Sequence, residues 1–268
     1  MIGWRLFAVF ACIALVGGCA TTQSQPGEGG RKGMERVSPV QAADVNTRLG
    51  VGYFERGDLE VAIDKLERAI ELDPAHVPAY VTLALIQERL GRESRARRYF
   101  SDAVRLAPED GATLNSYATF LCRQSEYEEA DGLFRRAVDD PFYDTKEVAY
   151  SNAGSCAIRS ERYDEAEDYL REALDINSEY PNALYHLARL FLQRDEAFRA
   201  RAFLQRYEAA AGVDPEALVL GYRIEERLGN EREAARYFRQ LEEQFPESDE
   251  AQNIRQQTSR DDRTNQRQ

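Results

Sequence analysis

The chain has 268 residues, of which 43% are hydrophobic and 31% charged, a balance that supports a folded core and excludes a wholly disordered chain. Its formal net charge of −12 argues against nucleic acid as a partner, because phosphates would be repelled, and against adhesion to an anionic membrane by charge alone. Alanine, leucine, arginine and glutamate dominate, and these residues favour helices.

At the N-terminus, Arg5 precedes an apolar run from Leu6 to Val16, followed by Gly17, Gly18 and Cys19. A charged start, a short apolar stretch and small residues at the cleavage point describe a signal peptide. The run is too short to span a bilayer as a stable anchor. Val16-Gly17-Gly18-Cys19 resembles the lipobox of bacterial lipoproteins, with one departure: the leucine that the pattern prefers stands at Leu15, one residue early. The resemblance implies that residues 1–18 are removed and that Cys19 is acylated. An ordinary signal peptide with an incidental cysteine is the alternative. Ala20 follows, where an aspartate would resemble an inner-membrane retention signal. The expected location is therefore the periplasmic face of the outer membrane, lipid-anchored. Residues 19–42 are rich in Gly, Ser, Gln and Pro and read as a flexible tether.

From residue 43 a repeat sets in. Alanine stands four residues before a large apolar residue in the pairs Ala62/Leu66, Ala96/Phe100, Ala130/Phe134, Ala166/Leu170, Ala200/Leu204 and Ala234/Phe238. The alanine spacings are 34, 34, 36, 34 and 34 residues. Upstream, Leu49-Gly50, Leu83-Ala84, Tyr117-Ala118, Ala153-Gly154 and Leu187-Ala188 keep the same register. A 34-residue period with large–small pairs in a first helix is the pattern of tetratricopeptide (TPR) repeats. The small residues let helix backbones approach at their crossing, and the large ones fill the groove between them. Arg56-Gly57-Asp58, Leu90-Gly91-Arg92 and Leu228-Gly229-Asn230 supply turn glycines. The predicted fold is all-α: a TPR solenoid of about six helix–turn–helix repeats over 43–248, forming a right-handed superhelix. Repeat five departs at Tyr207, and repeat six has Gly221-Tyr222 where a large–small pair is expected. Residues 249–268 read as a polar, disordered tail with room for one capping turn at its start.

Of four cysteines, Cys12 lies in the signal peptide and Cys19 at the lipid site. Cys122 and Cys156 remain, in the first helices of repeats three and four. Their positions in register differ by two residues, about 200° around a helix, which lets one face the other across adjacent first helices. A disulfide is expected, worth ~3–4 kcal/mol in the chain-entropy model. Two free buried thiols or a metal pair are the alternatives. Metal has little support, since only His76 and His186 occur and neither has a short ligand spacing to a cysteine.

The sequence has no GxSxG, HExxH or Walker loop, and its acids sit beside arginines as on solvated helix faces. No catalytic residue, metal or cofactor is assigned. Binding is the better-supported function, on a concave face lined by the first helices. Register nominates Val81, Leu85, Asn115, Thr119, Ser151, Ser155, Tyr185 and Arg189 for that groove. Asn115 and Asn152 have amides suited to a peptide backbone. Arg123, Arg159, Arg189 and Arg223 offer positive charge for a partner's carboxylates.

Six repeats, the lipobox, and the segments from Asn115 to Cys122 and from Asn152 to Ala157 together resemble the PilF/PilW family of type IV pilus biogenesis and stability lipoproteins, or pilotins. The resemblance implies a non-enzymatic outer-membrane protein. Its implied partner is the pilus secretin subunit, whose localisation and multimerisation it assists. The alternative is another envelope scaffold, serving peptidoglycan synthesis or outer-membrane assembly.

Overall fold

The computed structural model describes residues 38–256. The expected signal peptide, Cys19 and most of the tether lie outside the described residues, as do positions 257–268. Six antiparallel helix pairs follow in order. They are α1 (Pro39–Glu55) with α2 (Leu59–Leu72), α3 (Val77–Arg89) with α4 (Glu93–Leu106), and α5 (Gly111–Arg123) with α6 (Tyr127–Asp139). Then come α7 (Lys146–Arg159) with α8 (Tyr163–Ile176), α9 (Pro181–Gln193) with α10 (Ala197–Ala211), and α11 (Pro215–Arg227) with α12 (Glu231–Gln244). A further helix, α13, spans 249–256.

The repeat positions explain the packing. Ala62, Ala96, Ala130, Ala166 and Ala200 are fully buried where first and second helices cross. After the first repeat, large residues of the first helices join the core of the repeat before them. Leu83 joins the cluster around Leu66, and Tyr117 stacks on Phe100 at 5.4 Å. No single repeat closes its own apolar face, so neighbours stabilise one another.

Three expectations need correction. Helix α1 starts at Pro39, inside the stretch read as tether. The Ser38 hydroxyl accepts the backbone N–H of Gln41 while the Gln41 Oε1 accepts the backbone N–H of Ser38, a capping box that fixes the helix start. Serine, proline and glutamine describe a tether by composition, yet they are also cap and first-turn residues. At the other end, 249–256 is helical rather than disordered. Ala251 is fully buried in register with Ala217, and Ile254 is 2% exposed. Two helical turns therefore begin a seventh first helix. In repeat six the large core residue is Tyr237, with Phe238 only partly buried. A Cβ on Gly221 would come within 2.5 Å of the Tyr237 ring, so the glycine at this departure from the pattern makes room for the shifted tyrosine. The turn glycines, by contrast, take the left-handed conformation their turns require. Gly57, Gly91 and Gly229 have positive φ, and the equivalent positions in repeats three to five are Ser125, Glu161 and Asp195, also left-handed at φ 65°, 60° and 63°. The repeat imposes this conformation on side chains that disfavour it.

The 36-residue interval arises between α6 and α7. That connection has six residues, 140–145, where those before α3, α5 and α9 have four.

Cys122 and Cys156 are bonded to each other, with Cα atoms 5.7 Å apart, and join α5 to α7 inside the central core cluster.

Candidate protein-binding groove

First helices of successive repeats pack on one another: α1 on α3, α3 on α5, α5 on α7, α7 on α9, α9 on α11. The backbones of successive second helices stand farther apart and meet through long side chains, as where Tyr169 donates to Asp131 at 2.8 Å and Tyr237 to Glu208 at 2.9 Å. The first helices therefore form the shorter, inner arc, and their exposed positions line one continuous face. Residues one repeat apart form rows along it. One row runs Thr47, Val81, Asn115, Ser151, Tyr185, Val219; another runs Val51, Leu85, Thr119, Ser155, Arg189, Arg223.

The chemistry changes along this face. Val81 and Leu85 are half-buried and border the central core cluster, giving the early repeats an apolar wall. The middle repeats are polar, and much of that polarity is already used. Asn115 is only 8% exposed. Its Nδ2 donates to the Tyr143 hydroxyl at 3.2 Å, and its Oδ1 accepts from Asn152 Nδ2 at 3.1 Å. The expectation that Asn115 grips a peptide backbone is corrected: its amide ties α5 to α7 and to the α6–α7 connection. Burial raises the Tyr143 phenol pKa, and the hydrogen bonds to Thr145 and Asn115 act against that rise. Ser151 is corrected too. It is 1% exposed, with a buried Oγ that has no hydrogen-bond partner, so it belongs to the interior. Thr119 Oγ1 donates to the Asn115 carbonyl of its own helix at 2.8 Å. Asn152 and Ser155 stay half-buried and reachable from the face.

The later repeats are aromatic and basic. Tyr185 packs on Tyr207 at 5.6 Å, and the Arg189 guanidinium lies 5.9 Å from the Tyr185 ring centre. Tyr207 in turn donates its hydroxyl to Asp214, the N-cap of α11, which explains the large residue in repeat five. Burial raises the Tyr185 pKa; Arg189 and Arg223 pull against that rise, while Glu216 and Asp214 add to it. Beside them, burial and then the Arg189 charge push His186 down to about 4, so it is neutral at pH 7. Arg189 and Arg223 have no carboxylate within 4 Å among the described residues. Arg123 differs: it forms a two-pronged bond to Glu88 at 2.5 and 2.7 Å. Arg159 is exposed and reaches the Arg123 carbonyl at 3.5 Å.

The structure thus brings Val81, Leu85, Thr119, Asn152, Ser155, Tyr185 and Arg189 to one face, leaves Arg159 at its edge, and takes Asn115 and Ser151 out of it. Sequence reasoning missed Glu225, a buried acid bonded to Asn230 Nδ2 at 2.7 Å. Its neighbours in sequence gave no sign of burial. It also missed Phe142, which the 36-residue interval could have flagged.

Tetratricopeptide-repeat models match residues 47–111, 83–144, 118–181, 157–220 and 223–248. The chain is similar to the type IV pilus assembly protein PilF of Pseudomonas aeruginosa, at 27% identity over 91% of this chain and 95% of that protein. The crystal structure of PilW, described as a widely conserved type IV pilus biogenesis factor, aligns with a TM-score of 0.75 at 30% identity, covering 80% of this chain and 98% of PilW. A solved structure of Pseudomonas aeruginosa PilF aligns with a TM-score of 0.70 at 27% identity, over 82% and 99% of the two chains. This chain is a tetratricopeptide-repeat protein of the PilF/PilW family, homologous to type IV pilus biogenesis factors.

Proposed function

We propose that the chain is a lipid-anchored protein of the outer membrane that binds the secretin subunit of the type IV pilus machinery. In this role it assists secretin localisation and multimerisation. The observation that carries the reading is the extent of the likeness: it runs over 95–99% of each pilus relative, far beyond a shared pair of repeats. The graded first-helix face supports it as well. An extended segment lying along that face meets an apolar wall at Val81 and Leu85, polar groups at Asn152 and Ser155, and a basic aromatic end at Tyr185 and Arg189.

The mechanism involves no bond chemistry. Acylation of Cys19 holds the solenoid to a membrane, and the groove holds a secretin segment against premature association. Confining both partners to one surface raises their effective concentration. Deleting the gene and resolving envelope fractions on gels that preserve secretin multimers tests this. Monomeric or mislocalised secretin is expected. Wild type restores multimers, and Cys19→Ala restores fewer. Normal multimers and normal pili in the deletion strain would sink the reading.

A further inference from the structure

The α6–α7 connection plays no part in the groove, yet several hydrogen bonds brace it. Asp140 accepts the backbone N–H of Gly111 and of Phe142, both at 2.8 Å. These two bonds hold its carboxyl below the usual range, so it is anionic at neutral pH. Lys146 Nζ donates to the Val138 carbonyl at 2.6 Å, and the Tyr143 hydroxyl is held by Asn115. This bracing presents Phe142 to solvent, 87% exposed. Burying this ring against a partner would be favourable.

Beside the ring lies a cleft of about 670 Å³ between this loop and the α4–α5 connection. Its apolar side is formed by Pro108 and Pro141, with the buried Leu114 beneath them. Glu109, Asp110, Asp139 and Asp140 also line it. Arg136, the one base among the described lining residues, turns a guanidinium N–H onto the Pro108 carbonyl at 2.6 Å.

We propose that Phe142 and this cleft form a second docking surface, distinct from the groove, for a basic segment of another protein that carries an apolar side chain. The charge selects this occupant. An anionic bilayer would be repelled by the four carboxylates, so Phe142 is not a membrane anchor. A two-fold contact with a second copy would set like charges face to face. A cationic segment neutralises the rim while its apolar side chain fills the cleft against Phe142.

Phage-displayed random dodecapeptides panned on the full chain in detergent, after depletion on Phe142→Ser, provide the test. Recovered peptides are synthesised with a fluorophore, and binding is read by anisotropy. Expected are peptides of net positive charge with an aromatic or large aliphatic residue. Their affinity should fall roughly tenfold or more in Phe142→Ser. It should fall several-fold in Glu109→Gln/Asp139→Asn and in about 0.5 M salt. Arg189→Gln, in the groove, should leave it unchanged. Circular dichroism checks that each variant is folded. Three outcomes overturn the proposal: no peptide that depends on Phe142, recovered peptides that are neutral or acidic, or affinity lost in Arg189→Gln.

Discussion

At the C-terminal end, α13 lays Ala251 and Ile254 over the last repeat in the register of a first helix. At the N-terminal end no helix pair precedes α1 among the described residues, and Leu49 is 47% exposed. Leu83, Tyr117 and Leu187 occupy the same register as Leu49, and all three are buried. The contrast shows that burial in a solenoid is a property of neighbours: leucine at one repeat position is core in the interior and surface where no described repeat precedes it. The disulfide between α5 and α7 sits between these ends and should fix the most stable part of the array.

Breaking that staple is expected to have the largest effect. Replacing both Cys122 and Cys156 by alanine removes a 34-residue loop closure and should cost ~4 kcal/mol in chemical denaturation. Amide exchange in the oxidised protein should be slowest in α5 and α7 and faster towards both ends. If the double variant unfolds at the wild-type denaturant concentration, the centre is not special. The ends themselves come next. Ile254→Asp places a charge against α12 and should cost about 3 kcal/mol, whereas Leu49→Asp should cost less than about 1 kcal/mol. Equal losses in thermal melts would erase the distinction between the two ends.

Acid should narrow the difference by weakening the later repeats. The His186 pKa is about 4 in the folded chain, below its ordinary 6.5. Its contribution is therefore fully present above pH 6.5 and is lost as pH falls from there towards 4. Wild type should lose about 2 kcal/mol more than His186→Gln between pH 7 and 4.5. Parallel melting curves for the two proteins across that range would contradict the assignment. The smallest effect is a gain. Glu161→Gly relieves a left-handed side chain in the α7–α8 turn and should stabilise by ~0.5–1 kcal/mol, read as a small rise in Tm.

The six-repeat architecture was readable because alanine at a 34-residue period leaves few alternatives, and helices α2 to α12 fall where that period puts them. Three kinds of feature were not readable. Ser38 and Pro39 were hidden by composition, since cap residues and linker residues are the same types. Tyr237 displaced Phe238 because Gly221 moved the crossing by one residue, a change visible only when both helices are seen together. Within the groove, Asn115 and Ser151 have polar side chains at first-helix positions, which reads as surface. Their burial follows from Asn152, Tyr143 and the neighbouring helices closing around them, which register alone does not encode.

The bond between Cys122 and Cys156 also gives the chain a mechanical character. Force applied at the two termini of the oxidised protein passes from Cys122 directly to Cys156 and bypasses the residues between them. That covalent ring holds back roughly 110 Å of contour length. A stretched molecule would therefore stop short by about one repeat, and a reductant would release the remainder in a single step.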